Sequence, residues 1–243
     1  MAERGYMAYR MSDGDGSTEQ RLFLSLAEQL HVSFLQLTKL QELDVTTKSK
    51  QSDAASAITR TAMQLTESYM LSLRLRSSTD VLVVEPVSIL SVLREAADEL
   101  QPFAKLLGVQ LTFDFYKELG PIMTDRSVLK AAFMSLGQVL LMAESQSDTP
   151  APVVLVAKRS RYGITAGLYG LHNALNVSAF RRARQLQGRA AQPVQSLLGG
   201  PAAGVFVAES LFETVACRLF VSQNRNLKGL AVTLTPCYQL RLV

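Results

Sequence analysis

Two histidines are the first candidates for chemistry, His31 and His172. His31 stands in the run Leu30 to Phe34, and Glu28 precedes it by three residues, one helical turn away on the same side. A carboxylate so placed can orient an imidazole and take its proton. The two histidines lie far apart in sequence, and no metal site is expected. Cys217 and Cys237 match no metal spacing and read as free thiols in a reducing compartment. No Cys/His or Ser/His/Asp arrangement can be argued. A glycine-rich stretch from Leu198 to Gly204 is weak evidence for phosphate binding by itself.

Charge is uneven. From Thr149 to Ala208 there is no acidic residue, while Lys158, Arg159, Arg161, Arg181, Arg182, Arg184 and Arg189 are basic. The whole chain is only +4, so the remainder is net negative. Such asymmetry points to an anionic partner or an acidic protein surface. A nucleic acid is the weaker reading, because Tyr162, Tyr169 and Phe180 are the main aromatics available for stacking.

The elements that must hold these residues follow from periodicity. Hydrophobic content of 48% and charged content of 19% over 243 residues describe an ordinary globular chain with length for a real core. No apolar run approaches the roughly 18 residues that span a bilayer. Met1 to Gln20 is polar and no secretory signal, and residues 1–17 read as a flexible tail. In residues 18–78, Phe23, Leu26, Leu30, Ser33, Leu37 and Leu40 follow steps of three and four with one polar interruption, and Ala55, Ile58, Ala62, Leu65 and Tyr69 repeat the pattern on a second helix. Two such helices joined by a polar turn form an antiparallel hairpin, and two copies would pair as a four-helix bundle. Phe23, Leu26, Leu30, Leu37, Leu40, Ile58 and Leu65 form the expected dimer interface.

Residues 79–243 alternate differently. Val81 to Val84 predicts a short strand, Glu85-Pro86 opens a helix to Leu107, and Val109 to Phe115 alternates like a half-buried strand. Asp125 precedes a helix whose apolar face carries Val128, Leu129, Ala132, Phe133, Leu136, Val139 and Leu140. Strands are expected at 153–157 and 164–168, then a loop-rich insert, a helix at 205–216, and a closing hairpin at 218–221 and 230–235. The predicted class is α+β: a helical hairpin followed by an α/β sandwich.

This order resembles a sensor histidine kinase core: a dimerisation and phosphotransfer hairpin followed by a Bergerat-type ATP-binding domain. The resemblance covers about residues 20–236. It implies a nucleotide site at three boxes. Asparagines of the first box correspond to Ser135 and Val139 here. The adenine-binding aspartate of the second corresponds to Leu168, with Gly170 kept and His172 at the second glycine. The third keeps Gly200 and Gly204 but has Ala202 at its middle glycine. Pro201 there offers no backbone N–H to a phosphate. The polar atoms that ATP needs are lost while the apolar frame is intact, so no cofactor is expected.

The phosphoacceptor also departs from the family. Kinases carry His-Glu or His-Asp followed by a proline, whereas Val32 follows His31 and no proline does. The resemblance therefore implies a cytoplasmic pseudokinase, dimeric, that engages a response-regulator receiver domain or a partner kinase without ATP. His31, Phe34, Arg181, Arg182 and Arg184 are its expected partner-binding residues. The alternative is a histidine phosphotransferase relaying phosphoryl groups through His31, with Glu28 as its acid. A nucleic-acid-binding module is the third class.

Overall fold

The computed structural model describes residues 48–77, 81–116, 119–147, 150–172, 175–186 and 203–237, with positions 30, 33, 34 and 37. His31, Glu28, Phe23, Leu26 and Leu40 lie outside the described residues, as does the tail. Leu30, Ser33, Phe34 and Leu37 are helical positions. Five helices follow: α1 (Lys48–Arg76), α2 (Ile89–Leu106), α3 (Arg126–Ser145), α4 (Val177–Leu186) and α5 (Ala203–Thr214). The strands are β1 (Glu85–Val87), β2 (Leu111–Phe115), β3 (Ile122–Thr124), β4 (Val153–Ser160), β5 (Gly163–Gly170), β6 (Phe220–Asn224) and β7 (Leu227–Leu234).

The main sheet has the order β2-β4-β5-β7-β6. β2 runs parallel to β4, and the other neighbours are antiparallel. Alternation along its strands separates two faces. Leu155, Ala157, Ala166, Leu168, Leu230 and Val232 face the helices and join the main core. Val156, Tyr169 and Ala231 form a small second cluster on the opposite face. β1 and β3 make a separate two-stranded ladder.

Helix α3 is the centre of the helical layer. Asp125 is its N-cap, accepting from the backbone N–H groups of Ser127 (2.9 Å) and Val128 (3.1 Å). The Ser127 hydroxyl and the Val83 N–H also donate to it. Burial alone would raise the Asp125 pKa, but these bonds outweigh it and hold the carboxyl below its ordinary value. With a mean hydropathy of 1.3, α3 is long and apolar enough to cross a bilayer, yet 83% of that window is buried inside the molecule. Sequence inspection had found no such run; here it is a core helix.

Two expectations shift. Val81 to Val84 forms no ladder, because the Val83 N–H is taken by Asp125; pairing starts at Glu85, and Ser88 rather than Glu85 precedes the helix. The expected loop-rich insert contains α4, whose first turn is capped by Asn176 Oδ1 accepting from the Ala179 N–H at 2.8 Å.

The seam of α1 turns inward. Leu65 and Tyr69 belong to the main core, and Ile58 is buried too. Leu30 packs against the same core, while Leu37 is half-buried. Ser72 and Ser210 of α5 share a hydrogen bond of 2.7 Å, and Arg76 Nε donates to Ser210 at 2.9 Å. Ile58 and Leu65 are two of the positions expected at the dimer seam. Both are buried within one chain, Leu65 in the core where α2, α3 and α5 meet α1.

Candidate functional site

The positions matching the nucleotide boxes converge where α1, α3 and α5 meet the sheet. Ser135 and Val139 are one helical turn apart on α3, and both are fully buried. Gly204 opens α5 directly against them. A Cβ added there would stand 2.7 Å from Val139 Cγ2, 3.1 Å from Ser135 O and 3.7 Å from Leu65 Cδ1. Glycine is favoured because a methyl group there would collide with the Val139 side chain and crowd the Ser135 carbonyl. Leu168 is also fully buried, and its side chain packs toward Gly137. Ser135 Oγ has no hydrogen-bond partner among the described residues. Ala202 and Gly200 lie outside the described residues.

At the other end of the second box, an acid and a base are buried together. Glu144, at the end of α3, accepts from the Leu171 N–H at 2.5 Å and the Ala151 N–H at 3.3 Å, each with a different carboxylate oxygen. His172 Nδ1 is 3.7 Å from Glu144, and His172 Nε2 has no partner among the described residues. Gly170 survives for a visible reason: a Cβ there would lie 2.4 Å from Glu144 Oε1 and 2.9 Å from His172 Nε2. His172 thus stands two residues beyond the end of β5. Among the described residues no three metal-ligating groups cluster.

Burial sets the protonation of this pair. It pushes His172 from 6.5 down to about 4 and raises Glu144 despite its two backbone hydrogen bonds. His172 is therefore neutral in the native state at pH 6, while the unfolded chain binds a proton. Stability must fall as pH drops from about 6.5 towards about 4, then level off. The raised Glu144 opposes this at the acid end, because the folded state takes up that proton first. The His172→Leu variant removes an unpartnered group and is expected to melt like the parent at pH 7.5 but higher at pH 5. Equal shifts of Tm at both pH values would contradict the assignment.

The basic stretch divides. Arg181 and Arg182 are exposed on α4. Arg184 is not available to a partner: it donates to Leu219 O at 2.7 Å, pairs with Glu209 of α5 and lies 4.4 Å from the centroid of the Phe180 ring. Lys158 donates to Asn224 at 3.2 Å, and Arg159 and Arg161 stand at the opposite end of β5 from α4. A run continuous in sequence thus becomes separate patches. Phe34 is 62% exposed. Sequence reasoning missed Glu144, Glu209 and Ser210; a lone carboxylate at the end of an apolar helix was the available signal for the first.

No family model matches the chain, and no curated protein matches its sequence. Solved structures do match. Full-length ShkA in complex with AMPPNP superposes with a TM-score of 0.54 at 15% identity, over 92% of this chain and 46% of that one. Histidine kinase ThkA, solved with the response regulator TrrA, gives 0.53 at 11% identity, over 98% and 63%. The fold is histidine-kinase-like. The Acinetobacter baumannii histidine kinase AdeS agrees, with 0.51 at 8% identity over 86% and 96%. The chain spans about half of ShkA and under two thirds of ThkA. Identities this low carry the fold alone and leave the chemistry to the residues.

Proposed function

We propose that this chain is a histidine-kinase-shaped interaction module of two-component signalling that does not bind ATP. The observation that carries the reading is the contact at Gly204. A magnesium nucleotide needs oxygen ligands and open space beside the first-box helix. Val139 supplies no oxygen, and its methyl group fills the gap where even the Cβ of an alanine would collide. Leu65 of α1 closes the same point, and the Ser72, Arg76 and Ser210 hydrogen bonds fix α1 against α5. The frame is kept for its surface.

That surface is read as a dock for an acidic receiver domain or a partner kinase, by analogy with ThkA, which was captured with a response regulator. The dock lies at His31 and the exposed Phe34. Arg181 and Arg182 steer encounter from α4, an effect that salt screens over roughly 8 Å at physiological ionic strength. A second copy pairs through the outer side of α1, where Met63 and Met70 are exposed two helical turns apart. The setting is cytoplasmic.

Calorimetry with Mg-ATP tests the central claim: no binding heat is expected, and a micromolar dissociation constant would overturn it. The same sample should sediment as a dimer at micromolar concentration; a monomer removes the pairing from the reading. His31→Ala separates the pseudokinase from the transferase. Receiver binding survives it under the first, and phosphoryl relay is abolished by it under the second.

A further inference from the structure

A second concave site lies far from the nucleotide boxes. It is a cleft of about 480 Å³ between the β4–β5 turn and the segment after β7. One wall is Arg159 to Ile164; the other is Thr235 to Cys237 with Gly120 and Pro121. β5 runs eight residues from this turn to Gly170, so the cleft and the second box are roughly 25 Å apart.

The walls are fixed before any ligand arrives. Ser160 and Gly163 are paired across the turn, and the Ser160 hydroxyl donates to Gly163 O at 3.1 Å. Gly163 is at φ +132, and a Cβ there would meet Leu234 O at 2.4 Å, so the turn is seated directly on β7. The opposite wall is held by the Ile122–Pro236 bridge and by the Cys237 N–H, which donates to Pro121 O at 2.7 Å. A preformed cleft of this volume suits a small organic ligand rather than a bare ion.

Its charge selects the ligand. Arg159 and Arg161 line the cleft, and among the described residues no acidic one does. Neither guanidinium makes a salt bridge among the described residues. Arg161 is oriented by Tyr162, 4.7 Å above the ring centroid and bonded to its hydroxyl. Two unneutralised guanidiniums match a dianion better than a single carboxylate. A phosphomonoester carries close to two charges at neutral pH and three acceptor oxygens for such donors. Pro121, Ile164 and Pro236 give the organic part an apolar wall.

We propose that this cleft binds a small phosphomonoester, giving the module a ligand input independent of the nucleotide boxes. Phenyl phosphate is the probe, titrated calorimetrically into the full chain, with benzoate and inorganic phosphate as the comparison arms. Phenyl phosphate should bind with a dissociation constant of about 1 mM or tighter, and both comparison probes more weakly. Arg159→Ala with Arg161→Ala should weaken phenyl phosphate roughly tenfold or more, since the variant removes both charge-assisted donors. Both arginines are exposed, so the variant should melt with the parent. Absence of heat with phenyl phosphate, or unchanged affinity in the double variant, would overturn the site. Benzoate binding as tightly would overturn the preference for a dianion, and inorganic phosphate binding as tightly would overturn the organic ligand.

Discussion

Arg184→Ala is expected to destabilise the protein by about 3 kcal/mol, whereas Arg181→Ala and Arg182→Ala should each change stability by no more than about 0.5 kcal/mol. The three share one short helix and one charge, and only their contacts differ. The Arg184 guanidinium pins α4 to the rest of the domain through Leu219 O and Glu209, and stacks on the Phe180 ring of its own helix. Its removal leaves the Glu209 carboxylate, whose side chain is only 12% exposed, without its cation. Burial already raises the Glu209 pKa, and the hydrogen bond and charge of Arg184 act against that rise. A buried charge deprived of its partner costs more than the pair contributes when intact. For a chain of this size 3 kcal/mol corresponds to about 6–12 °C in Tm. The double-mutant cycle with Glu209→Ala should show coupling of about 1.5 kcal/mol or more. Additive losses would mean that Arg184 acts only by packing. The contrast also cleans up the docking test. Arg181→Glu with Arg182→Glu should slow receiver association at unchanged Tm, while any variant at position 184 confuses binding with folding.

The periodicity of α3 and the apolar runs of β4 and β5 were legible because each carries several turns or alternations of one pattern. β3 was not, since three residues hold too little of a period to be told from a loop. Helix α4 was hidden by its arginines, although Asn176 ahead of Phe180 and Ala183 is an N-cap signal followed by a buried pair three residues apart. The seam of α1 was visible, but its destination was not. An apolar stripe at steps of three and four fits a second copy and the chain's own α3 and α5 equally well. Gly204 carried the missing information. It could be read as the remnant of a phosphate loop or as a point of close helix approach, and only the positions of Val139 and Leu65 decide between them. The buried acid at Glu144 was illegible for a similar reason. Its partners are backbone N–H groups of Ala151 and Leu171, which no residue type announces.

Glu144 accordingly gives the other large effect, and the conservative substitution should be almost as damaging as truncation. Glu144→Ala leaves the Leu171 and Ala151 N–H groups without their acceptor beneath a side chain that is itself only 1% exposed. Each unsatisfied buried donor costs about 1–3 kcal/mol, so a loss of about 4 kcal/mol is expected. Glutamine keeps the shape and removes the charge, which at a buried site sounds harmless. The geometry says otherwise, because the two oxygens serve two different donors. An amide has one oxygen; if it takes the shorter bond from Leu171, its NH₂ group faces the Ala151 N–H, donor against donor. Glu144→Gln should therefore cost about 2–3 kcal/mol, and Glu144→Asp, which keeps both oxygens but withdraws them, a similar amount. Urea denaturation at pH 7.5 reads all three. The slope with denaturant should stay constant, since the native surface does not change. A glutamine variant as stable as the parent would mean that the Ala151 bond is dispensable and that Gly170 alone shapes this end of the second box.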